Sequence, residues 1–347
     1  MAEDQEITFH TLEDRPLVTF ALFAYNQEKY IREAVESAFS QTYEPLEIII
    51  SDDHSTDKTF EIIKEISTQY KGNHKIVIRQ NSSNSGLNNH INQVASIASG
   101  NLIVMAAGDD ISEPDRTSTL VVAWINNGKK DVAIQSGWIT IDHNSKYIEK
   151  YSSRLNGASK DIESYFSKDR TLIHGATGAY SINLFKKYSN LPEKSSSEDK
   201  ILSFRALLED GIIGVTSLLV RYRIHENSLT THILPFSSYK KWISRLDTEI
   251  STYNTHLNDL EIAHKECFIK NIDVFNKSLQ KSLKRHKRNK TVFLIPRVGP
   301  LIYCLTNSSL GSISNRIAYF LKASDLENSI IFKAASYTKK TINKYIN

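Results

Sequence analysis

The amino-acid sequence predicts an α/β protein with a central, mostly parallel sheet, followed by a helical, basic C-terminal region. Three observations carry this. Continuous apolar runs alternate four times with stretches of helical spacing within about 110 residues, as strands buried on both faces and joined by crossover helices do. Polar clusters follow directly after those runs, at Tyr25-Asn26, Asp52-Asp53 and Asp109-Asp110, and parallel sheets bind ligands at those carboxyl ends. Charge is also divided. From Lys240 onward there are 19 Lys and Arg against 8 Asp and Glu, a net of +11, whereas the residues before it sum to −7. The C-terminal part therefore favours an anionic surface.

The elements follow in order. Leu17–Ala24 is an unbroken apolar run and the first strand. Asn26 can cap the helix whose apolar positions are Tyr30, Ile31, Ala34, Val35, Ala38 and Phe39. Leu46–Ser51 is the second strand, and Ser55, Thr56 or Asp57 caps a helix with Phe60, Ile63 and Ile66 on its apolar face. Lys75–Arg79 is the third strand; a loop rich in Asn and Ser leads to a helix over about 88–99 (Ile91, Val94, Ala95, Ala98). Asn101–Ala107 is the fourth strand, and Pro114 suits the first turn of the next helix. Beyond Asp131 the pattern loosens: Val132–Thr140 reads as a strand, Ile162–Phe166 as a short helix and His174–Gly178 as a flexible loop of small residues. Glu198–Glu209 reads as a helix, and Ile212–Val215 and Leu218–Ile224 as two strands. The chain divides into a tail over 1–15, an α/β domain over 16–236 with halves meeting at 130/131, and a helical basic region over 237–347.

Composition excludes several classes. Two cysteines, Cys267 and Cys304, give neither a disulfide framework nor a thiolate metal cage. The acidic start is not a secretory signal. No apolar run reaches the roughly 18 residues of a membrane span, since Thr291–Leu305 is broken by Pro296, Arg297 and Pro300. A cytoplasmic protein is expected, one able to lie on the inner face of the cytoplasmic membrane.

Four constellations carry chemistry. Ser51-Asp-Asp-His-Ser-Thr-Asp57 puts two carboxylates at a buried strand end, where hydrogen bonds or a ligand must satisfy them; a cap with a solvated turn is the plain alternative. Asp109 and Asp110 offer the hard oxygen ligands that suit Mg²⁺ or Mn²⁺ bound with a diphosphate, and Gly108 lets the backbone approach a ligand. A simple turn into the next helix competes with that reading. Glu198 and Asp199 open a helix as ordinary first-turn residues, or as a base for a hydroxyl. Strand alternation places Arg221, Arg223 and His225 on one face, a set suited to a diphosphate or to a metal holding one.

The ordered set resembles the family 2 glycosyltransferases of GT-A fold over roughly residues 16–230: Ala24-Tyr-Asn26, the Asp52-Asp53 segment, Asn84-Ser-Gly86, Ala107-Gly-Asp-Asp110 with Pro114-Asp-Arg116, Glu198-Asp199 and Tyr222-Arg-Ile-His225. The resemblance implies a nucleotide-binding half with Ala24, Tyr25 and Asn26 beside the nucleotide, Asp53 bonded to its base, and Asp109 and Asp110 at the ribose and the divalent metal. It further implies Asp199 as general base with Glu198 beside it, and Arg223 and His225 at the diphosphate and metal. Ala107 stands where many members carry Asp, which leaves the main metal ligand open between Asp109 and Asp110. His54 stands where Gly is usual. The activity implied is inverting, metal-dependent transfer of a sugar from a nucleotide diphosphate sugar to a glycan, lipid-linked, in cell-surface polysaccharide (O-antigen or capsule) synthesis. Trp138, His174, Gly175 and Gly178 are candidates for the acceptor side.

Lys281–Lys290 holds six basic residues and no acid; a solvated face competes with binding to an anionic membrane, in which Val292, Phe293, Leu294 and Ile295 would insert shallowly. Nucleic acid is not expected, because aromatic interleaving is absent. The alternatives are a non-catalytic nucleotide-sugar-binding relative and a nucleotidyltransferase; the latter wants a glycine-rich, Lys- or Arg-bearing loop that Phe23–Gln27 lacks.

Overall fold

The structure, a computed structural model, describes residues 15–153, 155–166, 173–193, 198–226, 239–266 and 272–293. They fall into two compact units, one within Met1–His225 and Asn258–Lys270, the other within Glu226–Leu257 and Asn271–Asn347.

The first unit is built on β1 (Val18–Ala24), α1 (Ile31–Phe39), β2 (Leu46–Asp52), α2 (Thr59–Gln69), β3 (Lys75–Gln80), α3 (Leu87–Ile97) and β4 (Leu102–Ala107). All residues of β1 and β2 are buried, as expected of largely apolar strands covered on both faces, with Thr19 and Glu47 bonded to each other inside. After them come β5 (Ile111–Ser112), α4 (Arg116–Asn126), β6 (Ala133–Ile141), β7 (Tyr147–Tyr151), β8 (Gly157–Ser159), β9 (Gly178–Ser181), α5 (Asn183–Lys186), α6 (Glu198–Leu208) and β10 (Ile212–Arg223). Helix α7 (Tyr239–Glu266) contributes to both units, and α8 (Ile272–Phe293) belongs to the second.

The sheet runs β3-β2-β1-β4-β9-β6-β10-β5, with β7 on β6 and β8 on β10. The first four strands in this order are mutually parallel, and β6 with β10 is a second parallel pair. Between them β9 runs antiparallel to both β4 and β6. The core lies between β1, β2 and β4 and the helices α1, α2 and α4, through Phe20, Leu22, Val35, Ile48, Ile63, Val104 and Leu120.

Several sequence expectations shift. Asn26 does not cap α1: Tyr30 precedes its first turn, and Asn26 has φ +52° with its side chain turned to Thr56. Pro114 precedes α4, whose N-cap is Asp115. The loop over His174–Gly178 contains an ordered 3-10 turn, Gly175–Thr177, with Thr177 buried. The two strands expected after residue 211 are one, β10, with register shifts between Gly214 and Val220 that let the exposed Thr216-Ser217 bulge out. Leu294, Ile295, Cys267 and Cys304 lie outside the described residues. Among the described residues no helix is long and apolar enough to cross a membrane.

Candidate active site

Register aligns the three polar clusters. Ala24 lies opposite Asp52, and Phe23 opposite Ala107. The pairing continues one step past the strands, with Asp53 N donating to Ala24 O at 2.9 Å and Gly108 N to Phe23 O at 2.8 Å. Tyr25, Asp53 and Asp109 therefore follow the carboxyl ends of three adjacent strands.

At β1, Tyr25 is 44% exposed, an aromatic ring presented at a strand end. Asn26 N donates to Ser55 Oγ at 2.8 Å and Asn26 Oδ1 accepts from Thr56 N at 2.8 Å, which locks the two loops together. Asp52 accepts from Ser55 N and Gln80 Nε2. Asp53 is buried; its Oδ1 accepts from Asn81 Nδ2 at 2.6 Å and from Ser85 N and Oγ at 2.9 Å, and its Oδ2 from Gly86 N at 3.0 Å. Burial opposes its charge, yet the bonds from Ser85 and Asn81 outweigh burial and hold the carboxyl below its ordinary range. The carboxylate thus fixes the Asn84-Ser-Gly86 loop. His54 keeps a left-handed turn at φ +64°, with Nδ1 3.1 Å from Asn81 O, so a conformation that favours glycine survives the larger side chain.

At β4 the two aspartates separate. Asp109 Oδ2 lies 3.0 Å from His225 Nε2. Asp110 is buried: its Oδ1 accepts from Arg223 N at 2.8 Å, and its Oδ2 meets no hydrogen-bond partner. Burial first, and then the charge of Asp109, hold the Asp110 carboxyl well above its ordinary range. Arg223 departs from expectation. Its guanidinium is 1% exposed and wholly engaged by protein: Nε donates to Asp109 O at 2.8 Å, Nη1 to Ser145 Oγ at 2.9 Å and Asp142 O at 3.3 Å, and Nη2 pairs with Glu33. It also lies over the Tyr30 ring at 4.8 Å, and that ring is 4.7 Å from His225. Arg221 turns to Glu113 at 2.7 Å, so Arg221, Arg223 and His225 do not form one anion-facing set. Gly108 departs too. A Cβ there would stand 2.4 Å from Gln27 Oε1 and 3.0 Å from Ile31 Cδ1, so the close approach it permits is to the protein.

A divalent cation fits this end on one condition. The carboxylate of Asp109 and the imidazole of His225 are hard or borderline donors side by side, and Asp110 Oδ2 is an unpartnered buried oxygen next to them. Among the described residues, however, no group of three or more His, Cys, Asp or Glu forms a self-contained cage. The cation would share its remaining positions with water and a diphosphate, as Mg²⁺ prefers.

Glu198 and Asp199 open α6. A Cβ on Gly175 would lie 2.5 Å from Glu198 Oε1, so the 3-10 turn sits directly on this carboxylate. Buried Arg116 hangs that turn from the sheet: Nη2 donates to Met105 O at 2.7 Å on β4 and to Ala176 O at 3.0 Å, while Nη1 donates to Ser112 Oγ at 2.9 Å. Burial, and then the charge of Asp199, push Glu198 up to about 8. Burial also raises Tyr180 well above its ordinary range, with Glu198 and Asp199 adding to the effect. At the far end of α6, Arg205 Nε donates to Asp259 Oδ2 at 2.9 Å.

Sequence reasoning missed Glu33, Tyr30 and Ser145, which hold Arg223, and the tie made by Arg116. Arg116 stood in the Pro114-Asp-Arg116 segment, but nothing local marks it as buried. Glu33 lies some 190 residues from its partner, which no periodicity reports.

The model of the family described as Glycosyl transferase family 2 matches residues 19–191. The chain belongs to glycosyltransferase family 2. An uncharacterized glycosyltransferase of Rickettsia typhi is 27% identical over 264 residues, covering 72% of this chain and 80% of the relative. Chondroitin synthase of Escherichia coli is 34% identical over 136 residues, 39% of this chain and 19% of that protein. Among solved structures, residues 1–349 of S. aureus TarS superpose with a TM-score of 0.54 at 15% identity, covering 88% of this chain and 80% of that one. The same protein in complex with UDP-GlcNAc gives 0.55 at 16% identity. The family 2 glycosyltransferase thus has the GT-A architecture, with a C-terminal helical part.

Proposed function

We propose that this family 2 glycosyltransferase moves a sugar from a nucleotide diphosphate sugar to a glycan hydroxyl with inversion, in cell-surface polysaccharide synthesis. The observation that carries the reading is the alignment of Tyr25, Asp53 and Asp109 at the carboxyl ends of three adjacent strands, with His225 3.0 Å from Asp109. Tyr25 supplies a ring for the base, and Asp53 shapes the pocket floor through the Ser85-Gly86 loop. Asp109, rather than the buried Asp110, carries the open carboxylate, and Arg223 positions it. A divalent cation held by Asp109 and His225 would neutralise charge on the diphosphate.

The reaction is a single displacement. Asp199 takes the proton of the acceptor hydroxyl, and that oxygen attacks the anomeric carbon. The bond from the anomeric carbon to the phosphate oxygen breaks, and the nucleoside diphosphate leaves. Burial, and then the charge of Asp199, raise the Glu198 carboxyl, so Glu198 is the member of the pair that holds its proton more readily. The TarS domain, alike in fold, was solved with UDP-GlcNAc, so uridine diphosphate sugars head the donor panel. Released nucleoside diphosphate is measured with and without Mn²⁺ or Mg²⁺. Metal-dependent release from one donor is expected, and Asp199→Asn should lower it by orders of magnitude with donor affinity nearly intact. Silence with every donor, and no thermal shift by UDP, GDP or dTDP with metal, would leave a non-catalytic relative. The domain limits at 16–236 and 237–347, and a peripheral place on an anionic membrane, belong to the same proposal.

A further inference from the structure

Half-buried Trp138 on β6 is the cross-strand partner of Tyr151 on β7. Their rings stack at 5.0 Å and 23°, and on Trp138 the His174 ring stacks at 4.7 Å and 25°. Tyr222 of β10 meets His174 edge-on at 4.8 Å. Strand register puts Tyr222 opposite Thr140, two residues along from Trp138, so these rings share one face of the sheet. The row is open to solvent at one end, where Tyr151 is 42% exposed. Farther along the row, His174 immediately precedes Gly175, whose added Cβ would meet Glu198.

Core packing does not account for such a row. Trp124, a core tryptophan, is 3% exposed and donates its Nε1 to Lys130 O at 2.8 Å. The Trp138 row instead keeps aromatic surface in water beside polar groups. Gln135 Oε1 accepts from His174 N, and the Nδ1 of His174 is buried without a hydrogen-bond partner. Aromatic faces flanked by a few donors and acceptors are a recognition surface for amphipathic ligands. A pyranose is such a ligand: one face shows C–H groups that pack on rings, and its rim shows hydroxyls.

We propose that the solvent-facing ring of Tyr151, backed by the stacked Trp138–His174 pair and by Tyr222, is a saccharide-binding floor that seats the acceptor glycan. The Gly175 turn, which follows His174 in the chain, ties this stack to the Glu198-Asp199 pair. The assignment of the floor to the acceptor rests on the transferase reading; the binding itself does not.

Ligand-observed saturation-transfer NMR tests it without any donor. The probes are methyl glycosides of glucose, galactose, mannose and N-acetylglucosamine, and their β-linked disaccharides. The expected result is saturation concentrated on the C–H protons of one ring face, with an affinity about tenfold weaker in Tyr151→Ala. Thermal melting checks that this variant is folded, and Tyr151→Phe, which keeps the ring, restores binding. No saturation of any probe by the wild type, or equal saturation with Tyr151→Ala, overturns the proposal. A silent donor panel with saccharide binding intact would instead remove the transferase reading and leave the floor standing.

Discussion

Glu198 shows how a residue's role depends on surroundings that the sequence does not display. In Glu198-Asp199 the sequence offers two acids in a first helical turn, which is ordinary. The structure seats the Gly175 turn on this carboxylate, and burial, followed by the charge of Asp199, raises the Glu198 carboxyl from 4.5 to about 8. The folded state therefore holds a proton that the unfolded state has released between about pH 4.5 and 8, so ionisation in that window costs the wild type stability as pH rises. Glu198→Gln is expected to melt like the wild type near pH 5 and above it by pH 8, with the gap widening between; a gap that narrows as pH rises would put the raised carboxyl elsewhere. Gly175→Ala tests the same contact. Its Cβ would meet the movable end of Glu198, so stability should change by less than about 1 kcal/mol while turnover falls severalfold. Turnover and urea midpoints measured together check this.

At the scale of elements, the legible part was the part governed by local periodicity. β1, β2 and β4 announce themselves as largely apolar runs because they are covered on both faces. The aspartates that follow fall at strand ends for the same reason, so half of the candidate site could be read from the chain. Strand β9 was not legible: four residues that run antiparallel between β4 and β6 leave no period to detect. The bracing of α6 was equally hidden. Arg205 sits on this helix among apolar residues, and its guanidinium is satisfied by Asp259 of α7 at 2.9 Å and by the carbonyls of Leu184 and Ser189. Both partners of the ion pair are almost fully buried, at 1% and 0% exposure. Asp259→Ala leaves a buried cation without its counter-ion, and a loss of about 3–5 kcal/mol is expected in urea unfolding. A loss under about 1 kcal/mol would mean that the carbonyls alone hold Arg205. Because α6 carries Glu198 and Asp199, Asp259→Asn, which keeps a hydrogen-bonding side chain, should retain more turnover than Asp259→Ala.

For the whole molecule the governing quantity is the uneven charge, net +11 from Lys240 onward against −7 before it. In the second unit, Phe275, Leu279 and Leu283 fall on one stripe of α8 and are buried, while His286 meets Tyr253 at 5.2 Å and Lys290 pairs with Asp247 of α7. That apolar stripe is consumed by packing against the protein. Attraction of this helix to a membrane would accordingly be electrostatic, through Lys281, Lys284, Arg285, Lys287 and Arg288, at about 1 kcal/mol per basic residue near an anionic surface. Such attraction decays with the Debye length, about 10 Å at 0.1 M salt and 3 Å at 1 M. Flotation with vesicles of phosphatidylglycerol and phosphatidylcholine is therefore expected to recover the protein at low ionic strength and to lose it at about 0.5 M salt. The variant Lys284→Glu/Arg285→Glu/Lys287→Glu/Arg288→Glu should stay behind at any salt, with donor hydrolysis unchanged. Binding that survives both high salt and this charge reversal would place the attachment on apolar residues elsewhere in the chain, and absence of binding at low salt would mean the basic stripe is a solvated face.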